Sequence, residues 1–137
     1  MRLKILDLKR IAEILKEQCP FIIFAFLKGM DKERMLQSTE NLELCVYVDT
    51  DTGTCYALEK ILAVMTMAAP EVFCEVILLN FADRYTRFQA LQDHCLFVRV
   101  EHENHYLKFL YHTTLDYRIM RAQERRRGIS RNDVTCL

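Results

Sequence analysis

The chain has 137 residues, the size of one domain, and 51% of them are hydrophobic, enough to build a core and to exclude a disordered chain. Its 19 basic and 19 acidic residues balance to a formal net charge of zero. Global electrostatics therefore give no argument for a nucleic acid or a membrane surface as partner.

Taken in chain order, Asp7 is placed to cap a helix running to about Gln18, with Leu8, Ile11, Ala12 and Leu15 as its apolar stripe. Cys19-Pro20 stops it. FIIFAFL, from Phe21 to Leu27, is too short for a helix and rich in β-formers, so it reads as a buried strand. In GMDKERMLQST, Gly29 turns the chain and Asp31 is placed to cap one or two helical turns. Leu42 to Val48 is the second strand. A turn from Asp49 to Thr54 supplies a polar cap for a helix from about Cys55 to Ala68, which buries Leu58, Ile61, Leu62 and Met65 and ends at Pro70.

VFCEVILL, from Val72 to Leu79, is the third strand, followed by a turn from Asn80 to Asp83. A short amphipathic helix from Arg84 to Gln92 carries Tyr85, Phe88 and Leu91. Cys95 to Val100 is a fourth strand. Asn104 opens a last helix to about Arg127, with Leu107, Leu110, Thr114, Tyr117 and Met120 along one side. Gly128 closes it, and arginines crowd its last turn, where the helix dipole favours cations. Residues 129–137 read as a loose polar tail.

The pattern contains no repeat or linker. It predicts one α+β domain over 1–137, in which helices alternate with short strands of a mixed sheet. The short connection between the first two strands permits antiparallel pairing, and the helix between the second and third suits a parallel crossover.

The second strand raises a chemical question, because Asn41 and Glu43 precede the apolar run Cys45 to Val48 on one face. In the third strand Glu75 shares a face with Phe73, Ile77 and Leu79, and a carboxylate among apolar neighbours needs a partner or a cation. If the two strands are adjacent, Glu43 and Glu75 approach one another. Two carboxylates with an amide suit a divalent metal, which takes oxygen ligands. The plainer reading places both glutamates at strand ends, wet or paired with Lys or Arg.

The order of elements and their apolar pattern, over nearly all of Met1 to Arg127, resemble a minimal nucleotidyltransferase (MNT) domain of the DNA-polymerase-β-like superfamily. FIIFAFL stands for that family's first strand, ENLELCVYVD for its Asp-x-Asp strand and FCEVILLN for the strand with its third aspartate; HCLFVRV and the helix from Asn104 match the rest. In the family, the first strand runs into a Gly-Ser turn that meets nucleotide phosphates, and the aspartates hold two Mg²⁺ ions. This chain departs at each of those places. Leu27, Lys28 and Gly29 stand at the nucleotide-binding turn, Asn41 and Glu43 replace the paired aspartates, and Glu75 replaces the third. Asn41 removes a charge, each glutamate adds a methylene that displaces its oxygens, and Leu27 brings bulk to the phosphate turn. A functional constellation tolerates only about 0.5 Å of error.

The resemblance therefore implies a nucleotidyltransferase-like fold with a long C-terminal helix and a catalytic site in remnant form. The implied function is an antitoxin-like interaction subunit that pairs with a small helical HEPN-type protein, or with itself, and needs no cofactor. The alternative is a divergent nucleotidyltransferase that uses Glu43 and Glu75, with Asp49, to hold Mg²⁺ and ATP, with Lys28 on phosphate.

Other candidates are plainer. DTDTG, Asp49 to Gly53, lacks the glycine and glutamate positions of a calcium loop and reads as a turn. His94, His102, His105 and His112 neighbour no recognisable nucleophile and read as solvated or structural. The six cysteines, Cys19, Cys45, Cys55, Cys74, Cys95 and Cys136, form no CxxC pair and read as reduced and structural. The arginines between Arg118 and Arg131 are the one hint of RNA, and the lack of interleaved aromatics favours a solvated helix end. No apolar run nears the ~20 residues that cross a bilayer. The amino terminus, MRLKILDLKR, lacks the apolar stretch of a signal peptide, so a cytoplasmic protein is expected.

Overall fold

The computed structural model describes residues 5–28, 41–70 and 72–127. The first helix, α1, spans Ile5–Gln18 and buries Leu8, Ile11, Ala12 and Leu15, the stripe expected from their spacing. It is followed by β1 (Ile22–Lys28), β2 (Asn41–Val48), α2 (Thr54–Ala68), β3 (Phe73–Leu78), α3 (Arg84–Gln92), β4 (His94–Val98) and α4 (Glu103–Arg126). One-turn 3₁₀ segments at Leu79–Phe81 and Val100–His102 join the later elements. The expected Gly29 turn, the helical turns after Asp31, the closing Gly128 and the tail lie outside the described residues.

The four strands form one mixed sheet in the order β3-β2-β1-β4. β1 pairs antiparallel with β2 and β4, while β2 and β3 run parallel across the α2 crossover. This is the arrangement expected from the connection lengths, since parallel neighbours need a crossover.

The sheet separates two cores. On one face Ala25, Leu27, Leu42, Leu44, Val46 and Val48 pack beneath α1 and α2, which contribute Leu15, Ile61 and Met65. On the other face Phe24, Phe26 and Cys45 meet Ala90 of α3 and Phe109 of α4. That second core is aromatic. The Phe24 ring stacks on Tyr47 at 5.0 Å between centroids, and Tyr106 and Phe109 meet Phe24 at 5.1 and 5.0 Å. Such pairs add about 0.5–1.5 kcal/mol each beyond their burial.

Two polar side chains fasten the sheet. Asn80 follows β3 and clasps β2: its Oδ1 accepts from the Val48 amide at 2.9 Å and its Nδ2 donates to the Val48 carbonyl at 2.8 Å. Arg99, just after β4, donates to the carbonyls of Lys16, Cys19 and Ile22. It thereby satisfies carbonyls at the end of α1, which lack partners within the helix.

Several expectations need correction. The turn before α2 supplies no side-chain cap: Gly53 is the N-cap, and Asp49 Oδ1 instead accepts from the Asp51 amide at 3.1 Å. The buried stripe of α2 is Ala57, Ile61, Val64 and Met65, with Leu62 exposed, because an all-round apolar helix leaves its phase undetermined by pattern alone. Leu79 has left the strand for the 3₁₀ turn but remains buried. The α4 helix buries Phe109 and Thr113, while Leu107 and Leu110 face outward. Apolar residues line both sides of that helix, and the stripe read from sequence mixed the two.

Candidate functional site

The polar residues singled out in the strands fall into a row. Lys28 at the end of β1 stands opposite Glu43 of β2, and Glu43 stands opposite Glu75 of β3. Directly opposed residues carry their side chains on the same side of a sheet. One step beyond the Leu27–His94 pair that joins β1 to β4, Asp93 comes level with Lys28 and extends the row toward the fourth strand. The row lies on the face covered by α3 and α4, at the end where the aromatic core stops: Phe26 and Cys45, two residues away from Lys28 and Glu43, belong to that core. Asn41 opens β2 level with Phe73 of β3. The side chain of Asn41, and Gly29, lie outside the described residues.

Electrostatics follow from this order. Lys28 Nζ lies 3.6 Å from Glu43 Oε2, with both side chains partly open to solvent. Glu75 is exposed, so it escapes the burial cost that its apolar sequence neighbours implied. The Asp93 carboxyl is raised by burial, a rise that Lys28 opposes and Glu43 reinforces. The Cys45 thiol beneath the row is pushed up to about 12, first by burial, then by the charges of Glu43, Asp93 and Glu75 against the pull of Lys28. That thiol is a core group, not a nucleophile.

Two magnesium ions need carboxylates that bridge them inside a shell of oxygens. Here one of two neighbouring glutamates already has an ammonium group against it. Among the described residues, no three histidine, cysteine, aspartate or glutamate side chains are grouped to hold a metal ion.

The structure also revises two individual roles and leaves two histidines as expected. Leu27 is fully buried in the core beneath α1 and α2, so Lys28, and not Leu27, stands on the side of the carboxylate row. Asp49 lies beyond the far end of β2, six residues from Glu43 or roughly 20 Å along an extended strand, and does not join it. His105 Nε2 lies 3.3 Å from the Tyr47 hydroxyl, and the His112 ring sits against Tyr111. Both are structural placements. Of the strand cysteines, Cys45 is buried, Cys74 half-buried and Cys95 exposed.

Sequence reasoning missed Asp93, Asn80 and Arg99. Asp93 precedes a strand whose neighbour is known only once the sheet order is known. The signal for Asn80 was its place directly after VFCEVILL, where a turn amide can continue a strand's pairing.

Helices over both faces of a four-stranded mixed sheet, with a long C-terminal helix, define a nucleotidyltransferase-like fold. No family model matches the chain, and no curated protein matches it in sequence. Solved structures do. The crystal structure of the toxin–antitoxin MntA-HepT contains a chain similar over 96% of this one and 99% of its own, with TM-score 0.64 and 14% identity. A chain from the complex of a tri-AMPylated Shewanella oneidensis HEPN toxin with MNT antitoxin is similar over 95% of this chain and 97% of that one, with TM-score 0.64 and 16% identity. A chain of the toxin–antitoxin with AMP-PNP is similar over 94% and 98%, with TM-score 0.62 and 16% identity. At such identities the likeness establishes the shared fold. No helix among the described residues is long and apolar enough to cross a membrane.

Proposed function

We propose that this chain is the antitoxin-like member of an MNT–HEPN pair, and that it acts by binding a small helical HEPN-type toxin without transferring a nucleotide. The fold likeness to chains of MntA-HepT and HEPN–MNT complexes supports the pairing. The carboxylate row carries the second half of the proposal. Its Lys28–Glu43 contact at 3.6 Å sets a cation against a position where the resembled family holds metal. An ammonium group there repels an arriving divalent cation, and the two-metal mechanism depends on such cations to orient the triphosphate and activate the attacking hydroxyl. Docking needs only the surrounding surface, which the intact cores maintain.

Purification of the tagged chain from its native host tests the pairing. A small, all-helical HEPN-type protein should co-purify in fixed stoichiometry. Its absence, with the chain recovered alone, overturns the pairing.

A second reading is a divergent Mg²⁺-dependent nucleotidyltransferase that takes ATP. The opposed register of Glu43 and Glu75 favours it, as does the toxin–antitoxin structure with AMP-PNP. It predicts saturable Mg-ATP binding that Glu43→Ala abolishes.

A further inference from the structure

The outer side of α4 carries an apolar stripe with no element packed on it among the described residues. Leu107, Leu110, Tyr111, Thr114, Leu115 and Arg118 line a shallow groove of about 330 Å³ that belongs to this helix alone. Tyr111 is 65% exposed and Leu107 49%, and Leu115 and Ile119 are open as well. The same helix buries Phe109 and Thr113 on its opposite side, so the stripe is not the core-facing surface displaced by a turn. A contiguous exposed apolar stripe rimmed by charged residues is a candidate interaction surface.

The distribution of charge along the stripe selects the occupant. Glu103 lies in the first turn of α4, whereas Arg118, Arg125 and Arg126 lie in its second half. Residues 103, 107, 111, 115 and 118 advance by three or four, the spacing that keeps one face of a helix. The pattern is also self-complementary about Tyr111. A second α4 laid antiparallel, with the two-fold axis at Tyr111, brings Leu107 against Leu115 of the other copy. It brings Glu103 beside the other copy's Arg118, twice by symmetry. A parallel pairing would instead set Glu103 against Glu103 and arginine against arginine. Antiparallel helices also oppose their dipoles favourably.

The geometry points to a homodimer in which α4 of one copy pairs antiparallel with α4 of a second copy, centred on Tyr111 and locked by two Glu103–Arg118 contacts. This is an isologous interface, in which each patch is used by both copies. It does not rest on the HEPN pairing.

Sedimentation of the full chain tests it. The wild type should be a dimer at micromolar concentration. Tyr111→Glu places two carboxylates on the axis without touching the core, and should weaken the dimer at least tenfold with an unchanged circular dichroism spectrum. Glu103→Arg and Arg118→Glu should each weaken it several-fold, more at low salt. An equimolar mixture of those two variants should regain dimer, because each then meets an opposite charge across the interface. A monomeric wild type overturns the proposal, as does a dimer indifferent to Tyr111→Glu or a mixture that fails to recover. So does a monomer whose complex with a HEPN-type protein is lost in Tyr111→Glu, which assigns the stripe to that protein instead.

Discussion

The two faces of the sheet are built from the same strands and do different work. Beneath α1 and α2, every strand position from Leu42 to Val48 that points inward is apolar and buried. On the side of α3 and α4 the alternate positions run from Glu43 through Cys45 to Tyr47, beginning charged and ending aromatic. A step of one residue moves a side chain from one regime to the other. The comparison teaches that a sheet can keep its closed face as the foundation of the fold while the open end of its other face changes residue by residue. Changes at Lys28, Glu43 and Glu75 should therefore leave the scaffold intact.

Neighbouring residues give the sharpest way to break this comparison. Phe24→Ala removes the ring at the centre of the aromatic core, where Tyr47, Tyr106 and Phe109 all meet it. It should cost about 3–5 kcal/mol in urea unfolding, the largest effect expected here. Leu44→Ala on the closed face should cost about 2–5 kcal/mol. Glu43→Ala, one residue away, should change stability by less than about 1 kcal/mol, because it loses only a partly solvated ion pair. If the two variants at 43 and 44 destabilise equally, the division between the faces is wrong.

Asn80→Ala tests the clasp on β2. It strands the amide and carbonyl of Val48, which Asn80 satisfies at 2.9 and 2.8 Å. A loss of about 1–3 kcal/mol is expected, with hydrogen exchange at Val48 accelerating before that of Leu44.

The effect at Lys28 is smaller. Lys28→Ser should leave the unfolding midpoint nearly unchanged, since a solvent-accessible pair contributes at most about 1 kcal/mol.

The Cys45 thiol makes the smallest contribution near neutral pH. Its pKa rises on folding from 9.0 to about 12, so below pH 9 it is protonated in both states and contributes no pH dependence. Above pH 9 the unfolded thiol ionises first and the unfolded state binds fewer protons, so stability falls as pH rises toward 12. Cys45→Ala should reduce that alkaline slope without abolishing it, since burial also raises Cys19 and Cys74 to about 11, and the native Cys45 thiol should resist alkylation at pH 8 while exposed Cys55 reacts. Rapid labelling of Cys45 in the folded protein contradicts its burial.

Much of this was legible in the sequence. FIIFAFL, LELCVYV and FCEVILL announced strands because short β-branched and aromatic runs have few other solutions, and the stripe of α1 followed from simple 3.6-residue spacing. The adjacency of Glu43 and Glu75 followed once the crossover made their strands parallel neighbours. The phases of α2 and α4 did not follow. Where Leu107, Leu110 and Tyr111 alternate with Tyr106 and Phe109, two apolar stripes coexist, and only tertiary packing tells them apart. The capping of α2 was misread because polar residues crowd its turn while Gly53 occupies the cap itself. Asp93 and the cross-sheet reach of Arg99 were invisible because their partners are distant in sequence: Arg99 donates to Lys16, 83 residues away.

The central proposal is that the row of Asp93, Lys28, Glu43 and Glu75 sits on a sound nucleotidyltransferase-like scaffold without gripping metal and nucleotide. Isothermal titration of the folded chain with millimolar Mg-ATP tests it most directly. The account predicts no saturable heat. A saturating isotherm that disappears in Glu43→Ala, with the variant still folded, would contradict it.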